Sequence, residues 1–382
     1  MRAAQQPSER LPFVAPLLPA EEAWNVSFPS APSAQGTLDG FRVYIPLQSG
    51  ELVAVNRETG VNEWSVMLPS SWPPVVGDGV LYAAGNREVG AVKATTGDIV
   101  WRASLDGETM AAPVLQGETL FLLTMPDQLR AVRTSDGSEI WQRTIGTLST
   151  SATMTADAEA VYVSSGSHVT RLASSDGRLE WDRQLSGVLS PLVVAGDRVF
   201  VGSTDNFFYT LEAGTGRLAW RPWRAGGDVV GAAADERFVY VASLDNLLRA
   251  FRRGNGNQVW KRALSTRTKA PPSTFGGIVI VSGNDPTLST FNASTGAPIG
   301  KFSISGDLQG VPLIDPALEP FRVAMVAVTR DGRAIGLRAT GMMFRELPVS
   351  ALRVLPGKPL SREPLAPPAA QMPPSEGSGS PR

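Results

Sequence analysis

The chain has 382 residues, 42% of them hydrophobic and 19% charged, with 35 Lys+Arg against 36 Asp+Glu and a formal net charge of -1. That balance supplies no global field that would draw the chain to nucleic acid or an anionic membrane, and the length is ample for a buried core. Cysteine is absent and His168 is the single histidine, which removes disulfides, thiolate metal sites, cysteine nucleophiles and multi-histidine zinc centres within one chain.

In chain order, residues 1–20 carry one early arginine and no continuous apolar stretch, so they read as a flexible segment and not as a secretory signal. No window in the chain approaches the roughly 18 consecutive apolar residues of a membrane-spanning helix. The first expected strand, AWNVSF, holds Trp24. It opens a ladder of tryptophans at Trp24, Trp64, Trp101, Trp141, Trp181, Trp220 and Trp260, with gaps of 40, 37, 40, 40, 39 and 40 residues. The next rung is Gly300.

From Trp64 onward a glycine stands four residues before each rung, in RETGVNEW, ATTGDIVW, TSDGSEIW, SSDGRLEW, AGTGRLAW, RGNGNQVW and ASTGAPIG, and an eighth such turn centres on Gly341. Thr-Gly, Asp-Gly and Asn-Gly supply the positive φ of tight hairpins. Ahead of each turn lie two short runs rich in Val, Leu, Phe and Tyr, such as VLYAA and LRAVR, that alternate between Gly/Asp turns as antiparallel strands do. Each unit of about 40 residues therefore holds four strands, the size of one propeller blade. Sets of inner to third strands begin near residues 32, 72, 110, 150, 189, 229, 270 and 310, which makes eight.

The expected fold is all-β: an eight-bladed propeller over residues 21–345, its last blade completed by the N-terminal Trp24 strand, which leaves no open edge in the ring. Seven blades with a degenerate end is the alternative. Residues 346–382 contain nine prolines, lack strand patterning and read as a disordered tail.

The repeated A-x-x-x-x-T-G-x-x-x-W text resembles the PQQ-type propeller repeat from about Trp24 to Gly341. The eight units without long insertions and the closure by an N-terminal strand resemble, within it, the BamB-type scaffold lipoproteins of outer-membrane β-barrel assembly. That resemblance implies a non-enzymatic protein-interaction scaffold at the periplasmic face of the outer membrane, monomeric, with no cofactor. The lipidated N-terminal cysteine of such proteins has no counterpart here, and no partner-binding loop can be carried over residue by residue. A second branch with this repeat, the quinoprotein dehydrogenases, would imply an oxidoreductase using PQQ and calcium. Its adjacent cysteines and long loops have no match in this chain, and fold alone does not establish chemistry.

Strict recurrence on one strand assigns the ladder tryptophans to packing between blades. Trp72 and Trp223 stand off the ladder, each expected in the connection after a fourth strand, and are candidate partner anchors at one rim. Between Asn246 and Asn284 there is no acidic residue, while Arg249, Arg252, Arg253, Lys261, Arg262, Arg267 and Lys269 fall inside. With Arg221 and Arg224 this suggests a basic flank for an anionic partner, so Arg221, Arg224, Arg252 and Arg253 join the partner-binding candidates. A solvated outer edge is the simpler reading of the same charges. Asp127, Asp205, Asp245, Asp285 and Asp331 recur between second and third strands, where turn chemistry accounts for them better than a metal. His168 has no recognisable catalytic companion and is expected at the surface.

Overall fold

The computed structural model describes residues 19–146, 148–268, 270–283, 285–315 and 322–340. The Gly341 turn, the Pro-rich tail, most of the N-terminal segment, Lys269 and Asn284 lie outside the described residues.

Eight four-stranded antiparallel sheets follow one another as meanders. Blade 1 is typical, with strands Thr37–Leu38, Arg42–Pro46, Glu51–Asn56 and Asn62–Met67. Blades 2 to 7 span residues 75–104, 114–144, 153–184, 193–224, 229–263 and 273–303. In blade 8 the order is Leu313–Ile314, Val323–Val328, Arg333–Ala339 and then Ala20–Ser27, so the N-terminal strand is the outer strand of the last blade. Apolar clusters join blade 7 to blade 8 and blade 8 to blade 1. The ring closes as expected.

The second and third strands are buried along nearly their whole length, as in Arg42–Pro46 and Glu88–Lys93. Each blade is covered on both faces by its neighbours, so these strands need apolar residues on both faces, while the fourth strand keeps one side to solvent. A one-residue bulge recurs beside the rungs, where Ala131 opposes Trp141 but Val132 opposes Glu139, leaving Ile140 unpaired in register. The same shift occurs in blades 1, 2, 4, 6 and 7. A bulge re-aims the side chain next to it.

The tryptophans lean onto the following blade. Trp101 donates its indole N–H to the Thr134 carbonyl at 2.8 Å, and a Cβ built on Gly137 would sit 2.6 Å from the Trp101 ring. Trp24 repeats the contact across the closure, donating to the Arg57 carbonyl at 2.7 Å and lying over Gly60. Within each blade from 1 to 6 the rung also meets an aromatic of the second strand, such as Tyr44 with Trp64 and Tyr240 with Trp260, 5.7–6.2 Å between ring centres. Six of the ladder indoles thus reach from one blade to a backbone carbonyl of the next.

Candidate functional site

The meander gives the ring two rims. Turns between second and third strands share one rim with the connections from blade to blade; turns between first and second and between third and fourth strands occupy the other. Residue types sort accordingly.

Trp72 lies in the connection between blades 1 and 2, half-buried, with its indole N–H on the Thr109 carbonyl at 3.1 Å. Thr109 belongs to the connection entering blade 3, so Trp72 bridges consecutive connections on the first rim. Trp223 differs from the sequence expectation. It does not follow a fourth strand; it is on one, in the two-residue strand Trp223–Arg224 of blade 5, opposite Phe208. The physical reason is Pro222. The outer strand follows the third through Ala219, whose amide reaches Thr210 O, and then meets a residue with no N–H before pairing resumes. Trp220, just before this break, is the ladder tryptophan whose buried indole N–H finds no partner among the described residues.

Around Trp223 the side chains form one network. Its ring lies 5.2 Å from Phe251, and the Arg249 guanidinium sits over it at 4.6 Å. Arg249, only 6% exposed, pairs with Asp245 at 2.6 Å and also donates to Ser243. Burial alone would raise the Asp245 carboxyl, but hydrogen bonds from Arg249, Ser243 and the Gly226 amide outweigh it and hold it down at about 2. Arg249 is therefore withdrawn from the basic flank and spent on holding Trp223.

The remaining candidates divide. Arg224, exposed opposite Phe207 and over its ring at 6.0 Å, stands on the first rim beside Trp223, with exposed Arg221 on the approach to it. Arg252 is exposed opposite Phe238, at the far end of its strand from Asp245, and Arg253 is half-buried with its guanidinium on the Asp235 carbonyl at 2.9 Å. Those two belong to the second rim. The structure thus brings together Trp223, Arg224 and the Arg249–Asp245 pair, and sets Trp72 on the same rim at blades 1 and 2. Sequence reading missed the Asp245–Arg249 pairing, although Asp-Asn-Leu-Leu-Arg places the two four apart across a hairpin start, which is a readable signal.

The turn acids are mostly engaged locally. Asp205 accepts from Phe207 N and the Tyr209 hydroxyl, and Asp331 from Thr329 and Arg333. His168 meets Asp182 at 2.9 Å in a half-exposed pair. Among the described residues no three His, Cys, Asp or Glu side chains cluster closely enough to hold a metal ion.

A family model described as outer membrane protein assembly factor BamB matches residues 48–187, 127–267 and 244–343. No curated protein sequence matches the chain. Among solved structures, BamB from Moraxella catarrhalis shares 15% identity with a TM-score of 0.64, over 84% of this chain and 99% of that one. The computationally designed Ika8 protein shares 13% with a TM-score of 0.68, over 83% and 99%. A quinohemoprotein alcohol dehydrogenase from Comamonas testosteroni shares 12% with a TM-score of 0.64, over 85% and 77%. At these identities the three structures establish the propeller and nothing finer.

Proposed function

The chain belongs to the family of the outer membrane protein assembly factor BamB, and from that premise we propose that it is a non-enzymatic protein-interaction scaffold at the periplasmic face of the bacterial outer membrane, where it assists β-barrel assembly. The observation that carries the reading is the family match spanning residues 48–343, nearly the whole ring. The mechanism is rigid presentation. A closed ring holds its rim loops in fixed relative positions, which lowers the ordering cost of binding a partner.

On the first rim, Trp223 with Arg224 and Arg221 is the proposed anchor, an aromatic flanked by guanidinium groups of the kind that dominates protein interfaces. Trp223 enters such a contact already positioned by Phe251 and Arg249. Trp72 is a second anchor on the same rim, while Arg252 and Arg253 would serve a separate contact on the other. No helix among the described residues is long and apolar enough to cross a membrane, so attachment to the envelope would come through partners or through chain outside the described residues.

Affinity capture tests the reading. Wild-type chain should retain a component of the β-barrel assembly machinery, and Trp223→Ala should lose it with the fold intact by circular dichroism. The competing reading, a PQQ- and calcium-dependent oxidoreductase, draws on the likeness to the quinohemoprotein dehydrogenase. A quinone absorbance change on titration with PQQ and calcium, followed by dye reduction with an alcohol, would favour it and sink the scaffold.

A further inference from the structure

On the third strand, the residue just before the one opposite the rung faces the preceding blade, and in three blades it is long. Arg130 of blade 3 reaches back to Asp106 at 2.7 Å, in the connection from blade 2. Tyr209 of blade 5 joins the apolar cluster of blade 4 with Tyr162 and Val169, and Arg249 of blade 6 lies over Trp223 of blade 5. In blade 2 the residue is Gly90, and Leu68 of the preceding connection takes the space. Blades 4 and 7 carry Thr170 and Ser289 instead, opposite Asp182 and Lys301. The outer wall of the ring is open at both places, with clefts of about 500 Å³ between blades 3 and 4 and about 480 Å³ between blades 6 and 7.

The two clefts share a construction and differ in charge. The first is lined by Arg143 and Arg178 together with Asp176 and Asp182, so it balances its own charge. The second is lined by Arg262 and Lys301 and by no acid. Arg262 is fixed by backbone carbonyls, with Nε on Gly296 O at 2.7 Å, Nη2 on Thr295 O at 2.8 Å and Nη1 on Lys261 O at 2.8 Å. Those contacts hold the guanidinium in place and leave its charge uncompensated.

The rest of the second cleft is apolar. Leu264 and Phe291 line it from below, both buried, and Ile299 lines it while 38% exposed. The fourth strands that border it, Gln258–Ala263 and Pro298–Ser303, are largely solvent-exposed. A free small molecule would therefore keep much of its surface in water, whereas a side chain carried by a polypeptide needs only its tip covered.

We propose that the cleft between blades 6 and 7 docks an acidic polypeptide segment. One large aliphatic side chain of the segment covers Leu264, Phe291 and Ile299, and its flanking carboxylates pair with Arg262 and Lys301. This site goes beyond the first-rim anchor at Trp223, which it neither includes nor requires.

Calorimetric titration of the full chain at low ionic strength tests it, with a short capped peptide of aspartates and glutamates around one leucine. Saturable one-to-one binding is expected. Serine in place of the leucine should weaken it at least about tenfold, as loss of a buried aliphatic side chain implies. Amides in place of the acids should weaken it at least about tenfold as well. Ser289→Arg copies Arg130 and Arg249, and Ser289→Tyr copies Tyr209, so both fill the cleft with side chains that other blades carry at this position. Both should abolish binding while keeping the thermal midpoint. Ser289→Arg is the sharper of the two, because it adds positive charge: attraction by surface charge alone would strengthen binding, and occupancy of the cleft removes it. Lys301→Asp, which copies Asp182 of blade 4, should weaken binding at least about tenfold. Absence of saturable binding at millimolar peptide would overturn the proposal, as would equal affinity for the serine peptide or undiminished binding by folded Ser289 variants. Octanoate binding as tightly as the peptide would overturn it too, assigning the cleft to a small anionic amphiphile.

Discussion

At the scale of single residues, the two most exacting positions are a turn glycine and a half-buried acid. Gly137 holds φ at +73° with its Cα against the Trp101 ring. A methyl group there meets both the left-handed backbone, costing roughly 1–2 kcal/mol, and an aromatic it must displace, costing roughly 1–3 kcal/mol. Gly137→Ala should therefore destabilise the ring by about 2–5 kcal/mol in urea melts with the slope unchanged. Asp245 acts through charge. Its carboxyl titrates at about 2 in the fold against an ordinary 3.8, so its contribution to stability is complete above the unfolded value and is lost as pH falls through the folded one. The gap in thermal midpoint between wild type and Asp245→Asn should be constant above about pH 5 and shrink toward about pH 2. A gap that persists undiminished at the acid end would assign Asp245 a role other than this ion pair.

At the scale of the strand, blade 5 is the exception that tests how the repeat works. Six ladder tryptophans donate to a carbonyl of the next blade, whereas Trp220, on the outer strand interrupted at Pro222, finds no partner for its indole N–H among the described residues. Replacing Trp101 by Phe removes a hydrogen bond worth about 1 kcal/mol and leaves the Thr134 carbonyl short of a donor. Replacing Trp220 by Phe removes a buried donor that already lacks a partner, which relieves a cost of roughly 1–3 kcal/mol. Trp220→Phe should thus be less destabilising than Trp101→Phe, by about 2–4 kcal/mol in paired thermal and urea melts. Equal losses would mean that the indole N–H contributes nothing to the inter-blade contact. What the sequence made legible follows the same division. The tryptophan period, the turn glycines and the apolar runs are local signals, and they gave blade number, strand order and the closing strand. The recurrent bulge and the displacement of Trp223 onto a strand depend on how two strands register, and Pro222 was the one written hint.

At the scale of the whole ring, closure between blades 8 and 1 rests on more than the outer strand. Arg57 and Asp315, 1% and 3% exposed, form a buried ion pair across the seam, and Glu58 accepts from the Val323 amide. These partners are more than 250 positions apart, so no local pattern announces them. Breaking one side of a buried pair leaves an uncompensated charge, so Asp315→Asn should cost about 3–5 kcal/mol, whereas Arg57→Met with Asp315→Leu should recover most of that loss. The candidate sites show the same limit of legibility. Exposure of Arg221 and Arg224 beside Trp223 was readable from composition, but the separation of Arg252 and Arg253 onto the other rim, and the withdrawal of Arg249 into the Asp245 pair, required the third dimension.

The scaffold reading makes one demand above the others, that the first rim at blade 5 touches an assembly partner. A photo-crosslinking residue at position 223, carried by the full chain in intact source cells, measures that contact directly. The account predicts a light-dependent adduct with a component of the outer-membrane β-barrel assembly machinery, formed at position 223 and not from the outer-strand control position Glu63. An adduct pattern without any such component, from a chain that is folded and present in the envelope, would contradict it.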